Sequence, residues 1–197
     1  KELLNEGKAY GNFSNKGPIL LYAKRLTRYK RPEASTKAYL FLKQIENVNL
    51  VVAGYPVDEY GKYFLENDLL PLLESESIVY IPNYDKEIAK YLFSGCDICL
   101  NPQEVEKEAS GTSFMKCLIN GNLLLTTNAG SVPEFVKDKY NALVLSDNLE
   151  NLEEKLFEAH RIIKEKDLEI MRNALRVAYN VSTERMLKDL ERIYSRN

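Results

Sequence analysis

The sequence predicts an α/β chain: a doubly wound, Rossmann-like parallel sheet of about six strands with helices on both faces. Short apolar runs without strict polar alternation recur along it, as strands covered on both faces require. Longer amphipathic stretches separate them, and such strand–helix alternation builds a parallel sheet through right-handed crossovers. The composition agrees, since 197 residues with 45% hydrophobic and 28% charged content describe a globular chain able to fill a core.

Residues 1–17 read as a lead-in segment and 18–197 as a single domain. Strands are expected at 19–23, 50–53, 78–81, 98–101, 123–127 and 142–145. Helices are expected at 33–46, 59–73, 86–94, 112–120 and 133–137, with three more at 149–165, 168–179 and 183–194, the last crossing toward an absent partner domain. The start at Lys1 without methionine reads as a fragment.

Charge and special residues narrow the function. A formal net charge of −2 and no long basic block argue against nucleic acid. No signal peptide or membrane span is evident, which suits a cytoplasmic protein. Cys96 and Cys99 form a C-x-x-C at an apolar strand end, but no second ligand pair accompanies them and His160 is the lone histidine. Core packing is therefore expected rather than a metal site. His160, among charged residues, is expected on a solvated surface.

In doubly wound sheets, ligands bind beyond the carboxyl ends of the strands, where strand order reverses. The relevant loops are 24–31, 54–58, 82–85, 102–111 and 128–133. No G-x-G-x-x-G follows 19–23, which disfavours a dinucleotide site. The first loop, Lys24-Arg25-Leu26-Thr27-Arg28-Tyr29-Lys30-Arg31, holds five cations in eight residues. Arginine grips phosphate bidentately and lysine acts as a point charge. Ser110, Gly111, Thr112 and Ser113 run into a helix whose free N–H groups and dipole suit an anion. Lys116 follows Thr112 on the same face, about 6 Å further along at ~1.5 Å rise per residue, a spacing comparable to that between the aldehyde carbon and the phosphate of pyridoxal phosphate. Apolar neighbours Phe114, Met115 and Cys117 would help to keep its amine neutral. Glu108 is placed to accept hydrogen bonds from sugar hydroxyls, and Tyr84 to stack on a planar ligand.

Across residues 18–127 these pieces resemble the C-terminal domain of the α-glucan phosphorylases, the glycogen and maltodextrin phosphorylase family, which has the GT-B fold. The collinear segments are Lys-Arg-Leu-Thr-Arg-Tyr-Lys-Arg (24–31), Ala-Gly-Tyr-Pro-Val-Asp-Glu-Tyr-Gly-Lys (53–62), Asn-Tyr-Asp-Lys-Glu-Ile-Ala-Lys-Tyr-Leu (83–92), Leu-Asn-Pro (100–102), and Glu-Ala-Ser-Gly-Thr-Ser-Phe-Met-Lys (108–116) with Asn120-Gly121. The resemblance implies that Lys116 anchors pyridoxal phosphate as a Schiff base, with Tyr84 against the cofactor. It implies that the backbone of Thr112 and Ser113, with Lys24 and Lys30, holds the cofactor phosphate, and that Arg25 holds the substrate phosphate. Glu108, Ser110 and Gly111 would bind the glucosyl unit. The implied catalytic set is Lys116, Arg25 and Lys30, for phosphorolysis of α-1,4-glucan by inorganic phosphate to glucose 1-phosphate. The isolated domain is expected to be inactive, because such active sites lie between two domains. A homo-oligomer stays open.

Two departures mark rival readings. Phe114 stands where the family has a small or amide residue, which raises a catalytically inactive glucan-binding relative. The turn 128–134 looks instead like the Gly-x-Pro-Glu turn of nucleotide-sugar glucosyltransferases that use UDP- or ADP-glucose, such as glycogen synthase. Those enzymes place a second glutamate eight residues after the first, to accept from ribose hydroxyls. Here that position is Lys116, which cannot accept.

Overall fold

A computed structural model describes residues 8–14 and 16–195, without the side chains of Ala178 and Val181. Among these residues the sheet has seven strands in the order β1-β4-β3-β2-β5-β6-β7. They are β1 (Tyr10–Gly11), β2 (Ile19–Ala23), β3 (Asn49–Ala53), β4 (Ile78–Ile81), β5 (Ile98–Asn101), β6 (Leu123–Thr126) and β7 (Leu143–Val144). All pairings are parallel except that of β1, which runs antiparallel to β4 at the edge. Residues 1–7 and 15 of the expected lead-in lie outside the described residues. The rest of it supplies β1, a two-residue strand too short to leave a pattern in the sequence.

Each long strand feeds two cores. Leu20, Tyr22, Leu50, Val52, Ile78, Tyr80, Ile98 and Leu100 face one layer, while Leu21, Ala23, Val51, Ala53, Val79, Ile81 and Cys99 face the other. Because successive side chains point to opposite faces, burial of both faces removes the polar alternation, which is why these strands read as continuous apolar runs. The first layer holds α1 (Glu33–Leu42) and α6 (Leu152–Glu165). The second holds α3 (Lys86–Ser94), α4 (Ser113–Ile119) and α7 (Glu169–Arg176). All three cysteines are buried in this second layer.

Several expectations need correction. The helix expected over 59–73 is three pieces: α2 (Glu59–Tyr63), a π-helical turn (Phe64–Leu69) and a 3-10 turn (Leu70–Leu72). Pro71 lacks the N–H needed to continue an α-helix, so the segment changes its winding. The helix near 133–137 is a single turn, α5 (Val132–Phe135). His160 is not solvated: it is 7% exposed and its Nδ1 lies 2.5 Å from Glu46 Oε1. It shares the inward stripe of α6 with Leu152, Leu156 and Ala159, which packs toward α1. The last helix, α8 (Thr183–Tyr194), buries none of its residues and exposes Met186, Leu187, Leu190 and Ile193 along one face. No described helix is long and apolar enough to cross a membrane.

Candidate functional site

Strand order reverses between β2 and β5, so the loops leaving their carboxyl ends diverge and open a crevice. The loop after β2 is zipped to the loop after β3. Lys24 N–H donates to the Ala53 carbonyl and Leu26 N–H to the Tyr55 carbonyl, both at 2.9 Å, and Val57 N–H returns to Leu26 at 3.0 Å. Gly54, at φ +143°, permits this approach, because a Cβ there would lie 2.1 Å from the Lys24 carbonyl oxygen. Asp58 locks the far end, accepting from Arg28 N–H at 3.0 Å, from the Thr27 hydroxyl, and from Gly61 N–H at 2.7 Å as the cap of α2. Burial pushes its carboxyl up, but those hydrogen bonds outweigh burial and hold it below the ordinary carboxylate range.

The five cations of this loop do not act together. Lys24 and Lys30 are turned inward, 6% and 7% exposed. Lys24 Nζ donates to Asn101 Oδ1 and, at 3.3 Å, to Gln103 Oε1. Lys30 Nζ donates to the same Gln103 Oε1 at 2.8 Å and forms an ion pair with Glu108. Burial, then Lys30, lowers Lys24 to about 7. Burial, then the Arg25 guanidinium, lowers Lys30 to about 8, while the Glu108 carboxylate pulls in the opposite direction. Arg31 is held by Asp147, and Arg28 lies 5.8 Å from the centroid of Tyr60. Arg25 and Arg28 are both exposed, and of the two it is Arg25, donating to the Tyr29 hydroxyl at 3.4 Å, that borders an open space.

That space is a cleft of about 590 Å³ lined by Arg25, Tyr55, Tyr84, Asp85, Lys86 and Lys116, among others. Its volume falls within the ~300–1,000 Å³ typical of small-molecule sites. Lys116, on α4, is half-buried, with its Nζ 5.5 Å from the centroid of the buried Phe93 ring. Tyr84 closes another side, and burial raises its phenol. Asp85 spends one oxygen capping α3, accepting from Ile88 N–H at 2.8 Å. Phe114 is 1% exposed and packs into the core, 6.0 Å from Phe135 between ring centroids, so its bulk stays out of the cleft.

The remaining expected residues sit at the neck between Glu108 and α4. Thr112 is exposed, and α4 starts there without a side-chain cap, leaving its first-turn N–H groups for solvent or a ligand. The Ser113 hydroxyl donates to the Ala23 carbonyl at 3.5 Å, tying the helix to the end of β2. Ser110 is exposed, its hydroxyl 3.1 Å from that of Ser131 in the 128–134 turn. Gly130 in that turn, at φ +58°, would place a Cβ 2.4 Å from the Ala109 carbonyl, so the two loops touch backbone to backbone. The structure therefore gathers Arg25, Tyr84 and Lys116 around one cleft. It sets Lys24, Lys30 and Glu108 together beside Gln103, and joins Lys30 and Glu108 in a pair that the sequence assigned to separate ligand groups.

Sequence reasoning missed Asn101, Gln103, Tyr55 and Lys86. Asn101 and Lys86 carried a usable signal: one ends a strand at the crevice and the other follows the loop after β4. Gln103 carried none, being one polar residue in a polar loop.

A protein-family model described as "Glycosyl transferases group 1" matches residues 6–176. The chain belongs to that family. Among its relatives, the glycogen phosphorylase of Mycobacterium tuberculosis is 33% identical over 120 residues, 55% of this chain and 14% of that protein. The maltodextrin phosphorylase of Thermococcus litoralis is 33% identical over 148 residues, 70% of this chain and 18% of that protein. The chain thus spans less than a fifth of the length of these curated relatives. Among solved structures, Anabaena HepE in complex with UDP superposes with a TM-score of 0.76 at 16% identity, over 100% of this chain and 51% of that one. The catalytic domain of starch synthase IV from Arabidopsis thaliana, bound to ADP and acarbose, gives 0.75 at 15% identity, over 99% and 41%. At such identities the likeness concerns the fold: this group 1 chain has the C-terminal, Rossmann-like architecture of GT-B glycosyltransferases.

Proposed function

We propose that this glycosyltransferase group 1 chain is a cofactor- and phosphate-binding domain of an α-glucan phosphorylase, which transfers a glucosyl unit from an α-1,4-glucan to inorganic phosphate. The observation that carries the reading is the cleft shared by Arg25, Tyr84 and Lys116, in a chain that is 33% identical to phosphorylases over more than half its length. The residues present fit pyridoxal phosphate. Lys116 offers a primary amine against an apolar ring, Tyr84 a flat wall, and Phe114 leaves the space clear. When bound, the cofactor supplies a phosphate whose second pKa of ~6 suits proton transfer near neutrality.

The chain's own residues then have separate tasks. Lys116 anchors the cofactor. Arg25, exposed at the cleft, orients the substrate phosphate with its planar fork. Lys24 and Lys30 supply positive charge from behind, which lets two phosphate groups lie side by side. Glu108, once freed from Lys30, accepts hydroxyl hydrogens of the glucosyl unit.

The rival use of UDP- or ADP-glucose meets a specific obstacle in Lys116, a cation where a ribose would need an acceptor. Treating the full-length protein with pyridoxal phosphate, reducing with borohydride and mapping the labelled peptide tests the reading. Label on Lys116 is expected. Label on another lysine, or none, contradicts it.

A further inference from the structure

Gln103 is 1% exposed, and its side chain has an unusual division of labour. Its Oε1 accepts from both buried ammonium groups, Lys24 at 3.3 Å and Lys30 at 2.8 Å. Its Nε2 is buried with no hydrogen-bond partner among the described residues. Leaving an amide donor unpaired inside a protein costs about 1–3 kcal/mol, so such a group calls for an explanation. The rest of the residue is firmly placed. Thr127 Oγ1 donates to the Gln103 carbonyl at 2.5 Å, and Asn101, which accepts from Lys24, donates in turn to Thr126 Oγ1 at 2.7 Å. The orphaned nitrogen points toward Gly111, where a Cβ would lie 3.3 Å from it, and the Glu108 carboxyl carbon lies equally close to that Cβ position.

We infer that Gln103 is a positioning residue: it gathers the Lys24 and Lys30 ammonium groups onto one oxygen so that they face a single phosphoryl group together, and keeps its own N–H for an oxygen of that group. The inference rests on the phosphate-binding reading above and deepens it. Two ammonium groups that share a neutral acceptor repel each other, and a dianion arriving between them relieves that repulsion. Glu108 occupies part of this charge in the present arrangement, through its pair with Lys30. An incoming phosphoryl group would take its place at Lys30 and meet the free amide of Gln103 beneath Gly111. The other groups around the pair are Arg25 from the same loop, the thiols of Cys99 on β5 and Cys117 on α4, and the rings of Tyr22 and Tyr29. None of these places one acceptor on both lysines.

Trace acetylation of the chain with acetic anhydride across pH 5–11, read for each lysine by mass spectrometry, tests the assignment with inorganic phosphate as the probe. In the wild type, phosphate is expected to protect Lys24 and Lys30 together. Gln103→Met, which keeps the bulk but removes the acceptor, should lower the pH of half-reactivity of both lysines and raise the phosphate needed for protection at least tenfold. Gln103→Glu, nearly isosteric, should raise the pH of half-reactivity instead. A residue that merely fills space would move neither profile. Unchanged half-reactivity in both variants, equal phosphate protection in Gln103→Met and wild type, or no protection in the wild type overturns the inference. Because the probe is inorganic phosphate, failure of pyridoxal phosphate to anchor at Lys116 would show itself separately.

Discussion

Lys24 and Arg25 are adjacent in the sequence, yet the loop leaving β2 turns them to opposite environments. Lys24 joins Lys30 in a buried cluster with Asn101, Gln103 and Glu108. Arg25 turns outward, with Lys116, into an open cleft. The inner pair carries a desolvation penalty and responds to pH; the outer pair, Arg25 exposed and Lys116 half-buried, borders the open cleft where a ligand can reach it. The loop's charge therefore works at two depths: the inner pair is prearranged by buried partners, and Arg25 borders open space. Changes at the inner pair should disturb stability as well as binding, and changes at the outer pair chiefly binding.

The sharpest way to break this contrast is at the inner pair. Lys30→Met leaves the Glu108 carboxylate buried without its partner, and about 3 kcal/mol of stability should be lost by urea denaturation. Combining it with Glu108→Gln should restore most of that loss. If Lys30→Met is neutral, the pair is not structural. A smaller effect is expected at Asp58, whose replacement by alanine removes the cap of α2 and its grip on the loop, at about 1–2 kcal/mol.

The inner pair should also give stability a pH slope. Lys24 is lowered to about 7 and Lys30 to about 8 by burial, whereas unfolded lysines hold their protons to ~10.4. Between about pH 7 and 10 the unfolded chain then binds more protons, so wild-type stability should rise with pH across that window. Lys24→Met should flatten the rise. An equal slope in the variant would place the Lys24 amine in water.

At the outer pair, stability should barely move. Arg25→Ala and Lys116→Ala are each expected to cost less than about 1 kcal/mol, the scale of an exposed cation–π contact or surface change, while ligand binding collapses. A large stability loss in either would show that the cleft cations are structural too.

The sequence made part of this arrangement legible. Strands 19–23, 78–81 and 98–101 match their expected bounds because burial on both faces writes an unmistakable apolar run. Arg25 and Tyr84 could be placed at the crevice because loops at strand ends in this topology face it, and Lys116 because its helix opens directly from such a loop. Gln103 escaped because its burial is created by chain folding: the 102–108 loop returns onto the cationic loop through Glu104 N–H to the Tyr29 carbonyl at 2.9 Å and through Asp147, which holds both Val105 N–H and Arg31. His160 escaped for a similar reason, since charged neighbours in sequence hid the inward face of α6. The Lys30–Glu108 pair required knowing which side of the loop each residue takes.

The most direct test is turnover by the full-length protein, offered an α-1,4-glucan with inorganic phosphate in one reaction and UDP- or ADP-glucose in another. Glucose 1-phosphate released only in the first, and abolished by Lys116→Ala and by Arg25→Ala, is the expected result. Glucosyl transfer from a nucleotide sugar that survives Lys116→Ala would contradict the account.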